Sequence, residues 1–179
     1  MEKKSMTETQ KLVIAAMCVA LSVILSRILG IYVLGGTKRI SFASIPIFIG
    51  SLYLGAGYGA LIGAVTDITG SLLFPIGGFN ILFTIAPAIS GALPGLIMKK
   101  NYSNFPVKIV FICVLQSITV AVINSYLMSV LYGKNTFLGH LLLRIPFSGI
   151  MILVKSLVLI PMVYRLKSFM LSGTFKIRR

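Results

Sequence analysis

Apolar blocks of roughly twenty residues recur along this 179-residue chain, each cut from the next by glycine, proline or charge. At about 1.5 Å of rise per residue such a block matches the hydrocarbon thickness of a bilayer, so each reads as a membrane-spanning helix. Six candidates follow, over 11–33, 41–56, 58–75, 79–98, 107–131 and 147–166. The second and third are short, and the turn that joins them, Gly55-Ala56-Gly57-Tyr58-Gly59, is tight and uncharged. With 57% hydrophobic and 11% charged residues, against about 25% charged in a soluble domain, a soluble globular fold is excluded. The expectation is an all-α, multi-pass membrane protein of six transmembrane helices, a single integral-membrane domain over 1–179.

The formal net charge is +14. A nucleic-acid reading would need a basic face on a water-soluble module, whereas these cations lie between the apolar blocks. Six spans place both termini on one side. With the termini inside, eleven cations fall on the cytoplasmic side (Lys3, Lys4, Lys11, Lys99, Lys100, Lys108, Arg165, Lys167, Lys176, Arg178, Arg179) and four in outer loops (Lys38, Arg39, Lys134, Arg144). The positive-inside rule selects cytoplasmic termini. Lys3, Lys4 and Lys11 precede the first apolar run as in a signal peptide, but its long apolar continuation fits no cleavage pattern, so this span is expected to stay. Cys18 and Cys113 lie inside apolar stretches without CxxC or Cys/His spacing, so they read as packing residues, with no disulfide and no metal site.

Three ionisable residues fall within spans: Arg27 in the outer third, and Asp67 and Lys155 near the midplane. Such groups cost at least a few kcal/mol in a bilayer, so they face a bundle interior, pair together or line a cavity. Two readings stay open, a packing ion pair between Asp67 and Lys155 or a polar pocket open to the outside. Asn80, Thr84, Gln116 and Asn124, at matching depths, favour the pocket, although such residues also bond between helices for packing alone.

The chain has no GxxxxGK[ST] phosphate loop, no HExxH and no GxSxG, so no catalytic residues are assigned and no enzyme is expected. His140, the only histidine, reads as a solvated side chain of an outer loop. A single intramembrane acid is a thin basis for ion coupling, so uphill transport would need an outside engine. Ala16 and Ala20, four apart and on one helix face, permit close helix approach, either inside the bundle or to a partner. Arg27 returns to nearly that same face, so one face would both dock and serve a cavity unless the helix bends near Gly30 or tilts.

Several segments occur in a characteristic order: Ala16/Ala20; Lys38-Arg39-Ile40-Ser41-Phe42 leading to Ile45-Pro46-Ile47; the glycine-rich turn at 55–59; Gly63-Ala64 before Asp67; Phe79 to Thr84; Gly91 with Gly95; Asn124 followed by Tyr132-Gly133-Lys134; and Arg144 with Lys155 and Pro161. Over nearly the whole chain this order resembles the substrate-binding S components of energy-coupling factor (ECF) vitamin transporters, most of all the folate-specific branch, FolT. The stretch Phe79-Asn80-Ile81-Leu82-Phe83-Thr84 departs from that branch, which usually carries Pro-Gly before the Phe-Thr.

The resemblance implies a subunit of an ECF-type ABC importer in the bacterial cell membrane. It would bind a vitamin with high affinity from outside and associate with a transmembrane coupling subunit and two cytoplasmic ATPase subunits, without a cofactor of its own. On this likeness Ala16 and Ala20 meet the coupling subunit, and the loop with Lys38 and Arg39 covers the pocket. The glutamate carboxylates of folate meet Arg27, Lys38, Arg39 or Arg144, and Asp67 holds the planar, amide-like pterin. Phe79, Asn80, Thr84, Asn124 and Lys155 complete the expected ligand-binding set. The alternatives are another vitamin such as riboflavin or pantothenate, a stand-alone facilitator, or an intramembrane enzyme using Asp67 and Lys155 as an acid–base pair, which lacks a second acid.

Overall fold

Thr7 opens the first helix, in a computed structural model that describes residues 6–28, 30–33, 38–74, 80–98, 105–132 and 145–171. Its hydroxyl accepts the Gln10 N–H at 3.4 Å while the Gln10 side chain accepts the Thr7 N–H at 3.1 Å. These reciprocal bonds satisfy donors that the first turn of a helix leaves bare. Helix α1 (Glu8–Val23) runs into a π-helical turn, Ile24–Ile28. Beyond Gly30 the chain forms an antiparallel ribbon, β1 (Ile31–Val33) on β2 (Lys38–Ile40), pairing Ile31 with Ile40, Tyr32 with Arg39 and Val33 with Lys38. The expected first span over 11–33 is therefore too long at its far end, and the described residues are not purely helical. The β-branched residues Ile31 and Val33 take their backbone bonds from a second strand instead of extending the helix.

Five further helices follow: α2 (Ser44–Leu54), α3 (Ala56–Leu73), α4 (Ile85–Met98), α5 (Phe105–Tyr132) and α6 (Ile145–Leu171). Gly55 ends α2 and begins α3 with φ of 96°, a left-handed conformation open to glycine at little cost, which explains the tight turn. A 3-10 turn, Ile81–Thr84, leads into α4 and is capped by Asn80, whose side chain accepts from the Leu82 N–H at 3.0 Å. Among the described residues four helical segments are long and apolar enough to cross a membrane: Glu8–Ile28, Ile81–Met98, Pro106–Leu131 and Ser148–Arg165.

Helices α3 and α4 share the closest seam. A Cβ added to Gly59 would fall on the Gly91 carbonyl, one on Gly63 on the Pro87 carbonyl, and one on Gly95 on the backbone of Gly55 and Ala56. The two helices thus run antiparallel with glycine at every turn of contact, the small-residue packing that membrane helices use in place of a hydrophobic drive. Pro94, inside α4, has no N–H to offer the Ser90 carbonyl one turn earlier. Gln116 of α5 donates to that carbonyl from Nε2 at 2.8 Å, and Ser51 of α2 accepts the neighbouring Gly95 N–H at 2.9 Å. Neighbouring helices re-satisfy the opened backbone, as they must where no water reaches.

One apolar cluster joins Ile45 and Phe48 of α2, Met98 of α4, Ile109, Ile112 and Cys113 of α5, and Leu159 and Val163 of α6. A smaller one joins Ala15, Ile47 and Ile62. Outside them the usual pattern inverts: Ser22, Ser51 and Ser125 are 0% exposed while Leu157 is 77% exposed. Hydroxyls inside and leucines outside suit a lipid solvent.

Candidate functional site

The polar side chains of interest gather toward the ribbon end of the bundle. Arg27 leaves α1 within the π turn, which takes an extra residue per turn and so carries the guanidinium off the straight line through Ala16 and Ala20. It donates from Nη2 to the Ser71 hydroxyl at 3.1 Å and from Nη1 to the Phe74 carbonyl at 3.2 Å. Phe74 is the C-cap of α3, so the cation meets the negative end of that helix. Gly70 makes the room, since a Cβ there would lie 3.0 Å from Arg27 Nε.

One turn before Ser71, Asp67 accepts a hydrogen bond at Oδ2 from the Thr84 hydroxyl at 3.0 Å. Thr84 is buried and Asp67 half-buried. This bond ties α3 to the turn that opens α4, and Asn80 fixes that turn from its other end. The alternative of a packing ion pair between Asp67 and Lys155 finds no support, since the ion pair among the described residues is Lys11 with Glu8, at 2.6 Å. Lys155 is half-buried on α6, one turn from Leu159 in the larger apolar cluster.

Asn124 of α5 has a buried Oδ1 without a hydrogen-bond partner. The same holds for the oxygens of Ser22, Ser44, Thr66, Ser125 and, beside its bond to Ser90, Gln116 Oε1. Gln116 is thereby accounted for on its amide side by the Pro94 break. The sequence analysis singled out none of these four hydroxyls; the adjacency of Thr66 to Asp67 is the one signal that could have found one of them. Gly70 and Ser71 were missed likewise. Lys38 and Arg39 lie on β2 opposite Val33 and Tyr32. Phe79, Arg144, Lys134 and His140 lie outside the described residues.

Ala16 and Ala20 are exposed, while their neighbour Ala15 is buried at 4% exposure. Of the two arrangements open for this pair, packing inside the bundle is thus not the one observed. They line an apolar groove of about 520 Å³ between α1 and α3, together with Val19, Val23, Leu61 and Val65. At the far end of the groove from the ribbon, Tyr58 of α3 donates to Glu8 of α1 at 2.9 Å. Among the described residues no group of three or more His, Cys, Asp or Glu is placed to hold a metal ion.

The family model for the ECF transporter substrate-specific component matches residues 10–163. The chain belongs to that family. As a substrate-specific component it is an integral membrane protein of transport, not an enzyme. Curated proteins offer no match to it. Among solved structures, the crystal structure of FolT bound with folic acid matches with a TM-score of 0.73 at 22% identity, over 94% of this chain and 96% of that one. The substrate-specific component therefore has the FolT fold.

Proposed function

We propose that this substrate-specific component binds folate on the outer side of a bacterial cell membrane and hands it inward with an ATP-hydrolysing module, a transmembrane coupling subunit with two ATPases. The observation that carries the reading is the order of charges along α3: the Arg27 guanidinium at Ser71 and Phe74, then the Asp67 carboxylate one turn deeper. Folate carries the matching order, carboxylates at its tail and amide-like donors on its ring. One turn is about 5.4 Å of depth, shorter than a folate, so the glutamate tail extends past Arg27 toward Lys38 and Arg39 of the ribbon, and Arg144 is kept as a further cation for it. Phe79, Asn80, Thr84 and Asn124 complete the pocket in this reading, while Lys155, one turn from Leu159, stays on the side of the apolar cluster. The likeness to folate-bound FolT supports it.

The six helices span the membrane as a single bundle with both termini cytoplasmic and the pocket open to the outside, which the cation asymmetry supports. Ala16 and Ala20 offer the coupling subunit two small residues for close approach, flanked by the apolar wall of the groove. The decisive experiment is to purify the protein, identify the co-purified small molecule by mass spectrometry, and reconstitute the chain alone. A folate, with saturable binding and no uphill uptake, is expected. Recovery of riboflavin or pantothenate moves the ligand to a sibling vitamin, and concentrative uptake by the isolated chain in sealed vesicles removes the external engine.

A further inference from the structure

Three atoms of the Arg27 guanidinium lie over the bare Cα of Gly70. A Cβ at that position would stand 3.0 Å from Nε, 3.5 Å from Nη2 and 3.6 Å from Cζ. In this Gly70 differs from Gly59, Gly63, Gly91 and Gly95, where an added carbon would first meet main chain. At Gly70 all three nearest atoms belong to one movable side chain, so a methyl group there displaces a cation and not a helix. The surroundings are built from the last turn of α3. Gly70 and Phe74 are four residues apart and share a face, with Ser71 on its flank. The Gly70 carbonyl accepts the Phe74 N–H at 3.1 Å. Phe74 itself has left the helix, with φ of −134° and ψ of 75°, and its carbonyl accepts from Arg27 Nη1 while the Ser71 hydroxyl accepts from Nη2. Asp67 lies three residues before Gly70 on the same face, so along the helix the glycine separates the carboxylate from the guanidinium.

From this seat we infer that Gly70 is a specificity-determining residue: lacking a side chain, it lets Arg27 lie flat on the end of α3, and that placement gives the protein its preference for a ligand with an acidic tail over the same ring without one. The inference rests on the folate reading for the ligand and on Arg27 as the partner of the tail, and adds the residue that places the cation. Gly70 touches no ligand in this account; it is a positioning residue that acts through Arg27. The Ser71 hydroxyl and the Phe74 carbonyl are neutral acceptors, which aim a guanidinium without cancelling its charge. Arginine has more rotamer freedom to lose than most side chains, so aiming it before the anion arrives removes that loss from the binding step. A methyl group at position 70 pushes the guanidinium off its two acceptors and returns the loss to binding, for ligands with a carboxylate tail alone.

The test separates positioning from packing. Alanine favours a helix over glycine, so Gly70→Ala is expected to leave the ligand-free melting temperature unchanged or higher. Folic acid is expected to bind roughly three- to tenfold more weakly, because displacing a positioned group by a few tenths of an ångström is enough to spoil its geometry. Free pterin, without the glutamate tail, is expected to stay within about twofold of its wild-type affinity. In an Arg27→Ala background there is no guanidinium to displace, and Gly70→Ala is expected to change folic acid affinity by less than about twofold. A second loss there as large as in the wild-type background overturns the inference, since the methyl group then acts on something other than Arg27. Unchanged folic acid affinity in Gly70→Ala overturns it too, as does equal weakening of folic acid and pterin. Failure of the underlying reading is seen separately, before any change at Gly70: a wild-type protein that ignores folic acid removes the folate reading, and an Arg27→Ala protein that keeps its preference for folic acid over pterin removes Arg27 as the partner of the tail.

Discussion

Gly59 and Gly91 meet backbone to backbone: a methyl group built on either falls on the carbonyl oxygen of the other. Since the obstacle is main chain on both sides, no rotamer change relieves it, and Gly59→Ala or Gly91→Ala has to push α3 and α4 apart. Each is expected to cost about 1–3 kcal/mol, read as a lower melting temperature in detergent. Gly57→Ala is the control. Nothing lies within 4 Å of its added carbon, and alanine favours a helix by up to about 1 kcal/mol over glycine, so stability is expected to hold or rise.

The Pro94 break in α4 is expected to make Gln116 necessary only while the proline is present. Gln116→Leu leaves the Ser90 carbonyl bare, at about 1–3 kcal/mol. Adding Pro94→Ala restores an N–H for that carbonyl, so the double variant is expected to be more stable than Gln116→Leu alone. A thermal-melt double-mutant cycle reads the coupling; additive losses would mean that the side chain serves something other than the break.

Ala16→Leu with Ala20→Leu is expected to leave folate affinity near that of the wild type, because both positions are exposed on the groove side of α1. Association with the coupling subunit is expected to be abolished, since short-range contacts do not survive such an added thickness. Co-purification and ligand binding measured on one preparation check the two halves together.

Arg27→Ala is expected to weaken folate by about 2–5 kcal/mol, the usual result of truncating one partner of a desolvated charge pair. A tail-less pterin is expected to lose far less. Arg27 also caps the end of α3 through Ser71 and Phe74, so Ser71→Ala serves as the comparison: it removes a bond to the cation but keeps the charge, and is expected to lower folate affinity less than Arg27→Ala. Calorimetric titration with both ligands decides. Equal losses of folate and pterin on Arg27→Ala would place the tail elsewhere.

Single cysteines at positions 38 and 134 are expected to react with an impermeant thiol reagent in intact cells, and one at 176 only after permeabilisation. The reverse pattern would invert the orientation.

Much of the helical framework could be read in advance because a lipid solvent leaves a one-dimensional signal. The block over 107–131 sits within a helix over Phe105–Tyr132, and the glycine cluster at 55–59 holds the positive-φ turn. Asp67 stood out as a lone acid and does take part in an inter-helix bond. What stayed hidden depends on register between helices. The π turn at Ile24–Ile28 has no local code, and the ribbon forms because Ile31–Val33 finds a partner that pattern reading within one segment does not see. An ion pair of Asp67 with Lys155 was plausible by depth, yet azimuth decides, and α6 turns Lys155 toward the cluster around Leu159. Ser22 and Thr66 look alike in sequence whether they bond their own helix or stay buried without a partner.

Helix α1 is fastened to α3 at both ends by polar bonds, Glu8 with Tyr58 at one and Arg27 with Ser71 and Phe74 at the other, and between them lies the apolar groove. Between these fastenings Ala15 and Cys18 pack against Ile47, Ile62 and Gly50. The outward face that carries Ala16 and Ala20 is thus held at a fixed setting beside α3, so whatever docks there meets a helix whose far end already carries Arg27 in place.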